Sequence, residues 1–257
     1  MLLEVKKMCR SRQNRKQGLI SLIGILSIFL VPVAATAAHS PVIPRSMKYE
    51  IRKGQLAVGK ARIDFNRPRR RNKRILQKVE ITASIDPVGN AALRVDVDSY
   101  SWIGRDLFPS KAKWQWTALG KERSVKAKYH GNSVNGLYKT RTRQVRTKTT
   151  RPGPVGDVVS LVAWLAGQTP EPGDILKTTT YTGLKLYDVI MEVGEPFMLD
   201  LPVGARKVLP IKATAKRPGK TRHFKIWVDA KTGSLARVSF NADYIGAVDM
   251  VLVAERR

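Results

Sequence analysis

The chain has 257 residues, a formal net charge of +27 and a single cysteine. One cysteine excludes a disulfide framework and a cysteine-based metal site, while the length is sufficient for one sizeable hydrophobic core. Three histidines stand apart from one another without metal-ligand spacing, and no nucleophile elbow, phosphate-binding loop or dinucleotide fingerprint is present. We therefore expect no enzyme activity, no metal and no cofactor.

The N-terminal segment reads as a cleavable signal peptide. Basic residues precede the apolar run 19–33, and Ala35-x-Ala37 fits the small-residue rule of signal peptidase. Cleavage is expected after Ala37, with Ala38 as the neighbouring option. The alternative is an uncleaved anchor, but Pro32 interrupts a run that is already short for a bilayer crossing. The expected domains are thus a signal peptide over 1–37 and one β-rich domain over 38–257, with the periplasm as the expected location and full secretion as the alternative.

Almost every segment of the exported part alternates apolar and polar residues. Such alternation predicts strands that have one buried face and one solvated face. Turn signals separate the strands, among them Gly131-Asn132 and 229–233. The pattern predicts a mainly β protein: one strongly curled antiparallel sheet of ten to twelve strands, forming an open or incomplete barrel.

Gly156–Gly167, GDVVSLVAWLAG, is the one segment of the exported part that predicts a helix. Asp157 is a good N-cap, and Gly167 is expected to end the helix in the left-handed conformation. Since its residues are apolar nearly all round, the helix is expected to pack inside the concave face of the sheet or to plug one end. Trp164 on this helix, with Trp114 or Trp116 from the sheet, is either core packing or the wall of an apolar cavity.

Clustered cations are the strongest unusual signal. The segment Pro68–Arg74 predicts a hairpin tip that carries Arg69, Arg70 and Arg71, and Lys139–Arg143 predicts a strand that aligns Arg141 and Arg143 on one face. The exported part alone has a formal charge of +22, more than solubility requires. The alternatives are an ordinary solvated surface and a site for anions. Arginine suits phosphate, which abounds in envelope lipids and glycans, whereas no motif supports nucleic acid.

Several short motifs resemble the bacterial domain-of-unknown-function 3108 family of exported β-rich proteins. They span most of 47–256 in family order: Met47-Lys48-Tyr49-Glu50-Ile51 with Gly59, Leu107-Phe108-Pro109, Asp157-Val158-Val159-Ser160-Leu161, Leu201-Pro202-Val203-Gly204 and Ile226-Trp227-Val228-Asp229. Family helices often carry an arginine near their end, where this chain has Ala166-Gly167. The resemblance implies a sheet similar to the half-barrels of periplasmic lipoprotein carriers, which hold acyl chains in a concave cavity.

Two functions follow as expectations. The first is a non-enzymatic periplasmic envelope protein that binds an anionic amphiphile or polymer with an apolar concave face and a basic rim. The second is a structural or interaction protein with a filled core that docks onto anionic envelope surfaces. Partners would be an anionic lipid or glycan or the membrane surface, and the oligomeric state stays open. An empty or a packed interior distinguishes the two.

Overall fold

A computed structural model describes residues 45–71, 74–86, 94–242 and 246–256. The predicted signal peptide, its cleavage site and part of the 86–90 turn lie outside these residues. Within them, one helix and 17 strands form, in the following order: β1 (Ser46–Lys53), β2 (Leu56–Phe65), β3 (Arg69–Arg71), β4 (Arg74–Ile85), β5 (Val95–Ile103), β6 (Pro109–Ala118), β7 (Lys121–His130), β8 (Ser133–Thr140), β9 (Gln144–Thr150), β10 (Val155–Asp157), α1 (Val158–Gly167), β11 (Ile175–Tyr181), β12 (Leu186–Val193), β13 (Phe197–Leu199), β14 (Arg206–Arg217), β15 (Lys220–Asp229), β16 (Leu235–Ala242) and β17 (Gly246–Arg256).

All strands belong to one sheet, so the predicted mainly β fold with a single helix is confirmed. From one edge, the main ladder runs β9-β8-β7-β6-β5-β4-β2-β1-β17-β16-β15-β14-β12-β11-β10. The short strands β3 and β13 add to β4 and β14. The first and last strands, β1 and β17, therefore pair in the middle of the sheet.

The strand count and one pairing differ from the prediction. The prediction of ten to twelve strands was too low, in part because β3, β10 and β13 have three residues each, too few to show a period. The pairing of β10 with β11 is parallel, whereas the prediction was wholly antiparallel. A parallel pair needs a crossover connection, and α1 together with the 168–174 segment supplies it.

The sheet curls until its two edges meet without closing into a barrel. Side chains join the edges: Thr147 Oγ1 of β9 lies 2.7 Å from the Tyr181 hydroxyl of β11, and Arg151 pairs with Asp188 at 3.5 Å. No ladder of backbone hydrogen bonds links β9 to β10 or β11 within the described part of the chain. Bulges in β1, β5 and β15 increase the local twist that produces the curl.

The interior of the curl is packed. The main cluster of buried side chains comes from both halves of the sheet and from Val159 and Ala163 of α1. A second cluster, built mainly from β12 and β14, packs on Leu165 and on the half-buried Trp164. The helix thus lies between two apolar clusters, which explains why it is apolar nearly all round.

The end of the helix differs from the prediction. Gly167 is its last residue, but the residue after it, Gln168, is still right-handed, and the left-handed position falls on Thr169. Gly167 instead leaves room for the Leu107 side chain, whose Cδ1 would lie 2.2 Å from a Cβ at this position. The glycine therefore allows the β5–β6 connection to approach the helix.

Gly136 of β8 performs a similar role where the sheet edges meet. A Cβ on it would lie 1.9 Å from the Tyr181 hydroxyl and 2.6 Å from Thr147 Oγ1. The Tyr181 ring is fully buried and contacts Trp114 and Tyr129, so it has no room to withdraw.

We predict that Gly136→Ala lowers the free energy of unfolding by about 2 kcal/mol or more, the cost of overpacking a filled core. In a Tyr181→Phe background, which lacks the obstructing hydroxyl, the same substitution should cost clearly less. Urea denaturation of the four proteins in this double-mutant cycle measures the difference. Equal costs in both backgrounds would show that the Tyr181 hydroxyl is not the group that excludes a side chain from position 136.

Candidate functional site

The predicted arginine tip is present as the β3–β4 hairpin, although Asn72 and Lys73 lie outside the described residues. Arg69, Arg70 and Arg71 are all exposed. Arg71 differs from the other two because its guanidinium lies 4.3 Å from the centroid of the Trp102 ring on β5. The hairpin thereby leans onto the outer face of the sheet.

Arg141 and Arg143 are not on a strand, so the prediction of aligned charges on one strand face was wrong for them. Both are exposed in the turn between β8 and β9. The turn is closed by Thr140, whose Oγ1 accepts a hydrogen bond from the Arg143 amide at 2.9 Å. The threonine that suggested strand alternation is here a turn residue. This turn and the arginine tip lie at opposite ends of the strands, so the structure does not bring the two predicted groups together.

The three tryptophans proposed as a cavity wall fall into two places. Trp114 is buried and Trp116 half-buried, both on the inner face of β6 in the main cluster. Trp164 packs instead against the second cluster on β12 and β14. The described residues therefore do not gather these rings around one space.

A group of cations forms on the outer face of β4 to β9, of which only Arg146 and Lys148 were noted from the sequence, as an extension of the 139–143 run. Strand register aligns the outward side chains in two rows that cross six strands. The first row is Lys78, Trp102, Lys111, Lys128, Asn135 and Lys148, and the second is Glu80, Tyr100, Lys113, Lys126, Leu137 and Arg146. We call these two rows, together with Arg71, the basic face.

Like charges oppose one another directly on the basic face. Lys111 is the cross-strand partner of Lys128, and Lys113 is the partner of Lys126. Side chains in such positions have Cβ atoms about 5 Å apart, and like charges there are destabilising. No ion pair to these four lysines, or to Arg146 and Lys148, occurs within the described part of the chain.

Two aromatic rings lie among these cations. Half-buried Tyr100 has the Lys78 ammonium 4.8 Å from its ring centroid, and Trp102 carries Arg71 as described. The one carboxylate in the rows, Glu80, is paired with Lys78 at 2.5 Å. The other outward acids of these strands, Asp96, Asp98 and Glu122, lie towards the opposite end. The basic face is therefore polarised, with its positive end next to the arginine tip.

Inside the sheet, Asp157 is the centre of a buried polar cluster. It is fully buried and caps α1, because its carboxylate accepts the Ser160 amide at 2.7 Å. Ser101 of β5 donates its hydroxyl to the same carboxylate at 2.7–2.8 Å. The N-cap predicted from sequence is thus confirmed, and it joins β10, α1 and β5 at one point.

Burial dominates the ionisation of this cluster. Loss of hydration raises the pKa of Asp157 from its usual 3.8 to about 6, and the hydrogen bonds from Ser160, Ser101 and Val159 only partly oppose the rise. Burial, and secondarily the nearby Asp157 charge, raise the pKa of the Tyr129 phenol. The Tyr129 hydroxyl and Trp114 Nε1 are buried without a hydrogen-bond partner among the described residues.

A buried acid beside a serine resembles a catalytic pair. A catalytic pair must be accessible to a substrate, whereas a structural pair need not be. Asp157 and Ser101 are each 0% exposed, and two open grooves lie elsewhere on the described surface, one at the β14–β15 hairpin and one over the outer face of β1, β2 and β4. Neither is lined by Asp157, Ser101 or Tyr129. The cluster is therefore best explained as the anchor of the helix.

Neither a metal-ligand cluster nor a long apolar helix occurs among the described residues. No three acidic, histidine or cysteine side chains converge as metal ligands. No helix in these ranges has the length and apolarity needed to cross a membrane.

Comparison with known proteins identifies the family of the chain. The family model described as "Protein of unknown function (DUF3108)" matches residues 48–253. A search of curated proteins found no match. Among solved structures, a β-barrel-like protein of domain of unknown function DUF1849 from Brucella abortus is similar, with 11% identity and a TM-score of 0.58 over 84% of this chain and 98% of that one. That likeness shows the fold alone.

Two other solved structures are more distantly similar, each with a TM-score of 0.35. One is an exported protein with a YmcC-like fold from Bacteroides fragilis, 10% identical over 85% of this chain and 100% of that one. The other is described as a lipoprotein from Parabacteroides distasonis, 9% identical over 84% and 99%.

The raised pKa of Asp157 predicts an unusual pH dependence of stability. Between about pH 4 and pH 6 the folded carboxyl binds a proton more tightly than the unfolded one, so the free energy of unfolding falls as pH rises through this window. A rise of two units corresponds to about 3 kcal/mol. Asp157→Asn keeps an oxygen for the Ser160 amide and should lose this contribution. Urea midpoints from pH 4 to 7 test it, and parallel profiles for the two proteins would contradict it.

Proposed function

This chain belongs to the DUF3108 family, and on that premise we propose that it is an exported, non-enzymatic protein of the cell envelope. It docks onto an anionic envelope partner through the basic face and has a filled interior without an enclosed ligand. The observation that carries the proposal is the pair of cation rows on β4 to β9.

The rows favour a binding role because their four central lysines, on β6 and β7, make no ion pair within the described residues. A merely solvated surface mixes charges of both signs, and its cross-strand neighbours attract one another. Here Lys111 and Lys113 oppose lysines, and no carboxylate pairs with them in the described residues. An anionic partner would supply the missing opposite charge. Each cation held against an anionic surface contributes about 1 kcal/mol.

The packed interior favours a partner bound outside the sheet. Buried side chains from both halves of the sheet and from α1 fill the space in which an amphiphile would lie. The two open grooves described above also lie outside this space. The first expected function, an acyl chain held in a concave apolar face, therefore has less support than docking.

Export rests on the sequence of the first 37 residues. The basic segment, the apolar run and Ala35-x-Ala37 together form the pattern that signal peptidase recognises. An envelope compartment also fits the anionic partner, since phosphorylated lipids and glycans are its abundant anions. The periplasm is the proposed location.

The export proposal predicts a specific N-terminus. Protein recovered from the cell envelope should begin at Ala38 or His39 when sequenced by Edman degradation or mass spectrometry. Recovery of membrane-embedded protein that still begins at Met1 would establish the uncleaved anchor instead.

The docking proposal predicts that four lysines contribute more than other lysines to the affinity for anions. Replacing Lys111, Lys113, Lys126 and Lys128 with glutamine should weaken binding to anionic probes at least roughly tenfold, since four such contacts are lost. The same change should leave the urea midpoint unchanged or raise it, because two like-charge pairs disappear. Suitable probes are long-chain inorganic polyphosphate and phosphatidylglycerol vesicles, measured by titration at about 0.15 M salt.

The matched control carries the same charge change on other strands, at Lys212, Lys216, Lys220 and Lys225 of β14 and β15. It should weaken binding clearly less. Equal losses in the two variants would mean that net charge alone drives association, and binding of neither probe by the unmodified protein would refute docking to anions.

A further inference from the structure

The basic face is curved. The two edges of the sheet meet through the Thr147–Tyr181 contact, so the main ladder of strands returns upon itself. Six of its strands, β4 to β9, carry the two rows. With neighbouring strands about 4.8 Å apart, the rows extend about 24 Å around the outside of the curl.

This curvature does not suit a flat partner. A plane that touches a convex sheet engages the side chains of a few neighbouring strands, and the cations at both ends of each row point away from it. Moreover, none of the large exposed apolar side chains of the described residues belongs to the two rows. Proteins that bind bilayer surfaces commonly add such anchors to their basic residues. A flexible chain, in contrast, can follow a row around the curve.

Arg71 indicates which anion such a chain would carry. Arg71 Cζ lies 4.3 Å from the centroid of the Trp102 ring, a contact that restricts the guanidinium while leaving its N–H groups able to donate. No carboxylate occupies them among the described residues. A planar fork of donors that is held in place matches two oxygens of one phosphate group.

We propose that the basic face is a track for a linear phosphate-bearing polymer, which lies across strands β4 to β9 along the two rows, with Arg71 on Trp102 holding one phosphate at the positive end. This inference rests on the proposed docking function and names its partner class. The two rows bind the phosphate groups along the polymer by their charge, and Arg71 provides the preference for phosphate over other anions.

Chain length tests the track. Long-chain inorganic polyphosphate should bind at least tenfold more tightly per mole than tripolyphosphate, which cannot span the six strands, and more tightly than phosphatidylglycerol vesicles at equal accessible phosphate. The logarithm of the affinity for the long chain should fall with the logarithm of salt concentration. Glutamine at Lys111, Lys113, Lys126 and Lys128 should make that slope shallower by about 3, as for release of counterions from four phosphates of a flexible strand.

A conservative pair of variants tests the phosphate contact of Arg71 on Trp102, which we call the clamp. Arg71→Lys keeps the charge but removes the planar fork, so affinity for the long polyphosphate should fall about threefold to tenfold. Arg70→Lys is the matched control on the same exposed strand, where no aromatic ring lies under the guanidinium among the described residues. It should change the affinity less than twofold.

Three outcomes would overturn the inference. Vesicles that bind as tightly as the long chain would make a bilayer surface the partner, and docking to anions would still stand. Equal affinity for tripolyphosphate and the long chain would reduce the track to a local anion site. Equal effects of the two arginine variants would remove the clamp. Failure of every probe to bind would instead refute the proposed function itself.

Discussion

The carboxylate of Asp157 is the point on which the arrangement of the interior depends. It caps the only helix of the described residues, ends β10 and accepts the hydroxyl of Ser101 from β5. Burying a charge without partners is very costly, and here hydrogen bonds from three residues offset part of that cost. They do not offset it fully, so the pKa of the carboxyl stays raised. Because these bonds are short and directional, they fix where the helix enters the curl and therefore which side chains fill it.

A filled interior has a consequence for the outer surface. With α1 and both halves of the sheet packed together, the inner face of β6 and β7 is committed to the core. Only the outward face of the same strands is free to meet a partner. On that face the chain places lysine opposite lysine, an arrangement that a fold selected for stability alone would avoid. The packed interior thus maintains the curl of the sheet, and the outer face of the same strands presents the cations to solvent.

Much of the fold could be predicted from alternation alone. Strands such as β7, where Val125, Ala127 and Tyr129 face inward, show the period of two clearly, and Asp157 was recognisable as a cap. The contact between the two edges of the sheet could not be predicted, because nothing near Gly136 indicates that Tyr181, 45 residues later, lies against it. Short strands such as β10 and β13 have too few residues to show a period. A parallel pairing also leaves no mark in three residues.

The basic face shows the same limit for the site. Lys111-x-Lys113, Lys126-x-Lys128 and Arg146-x-Lys148 are each visible in the sequence as outward pairs. What aligns them is register across strands, which depends on turns and bulges that composition does not specify. Runs such as Arg69–Arg71 and Arg141–Arg143 are easier to recognise as candidate sites because their cations are close in sequence. The structure separates those two groups and assembles cations that are far apart in the chain.

The central claim is that this protein meets its partner on the outside of the sheet and carries nothing within it. The most direct measurement is organic extraction of the protein, purified from its host without detergent, followed by quantitative mass spectrometry of the extracted lipids. The account predicts far less than one lipid per protein molecule, while untreated protein from the same preparation binds polyphosphate. One lipid of a defined class per molecule, released only when the protein unfolds, would contradict it and establish the interior as the binding site.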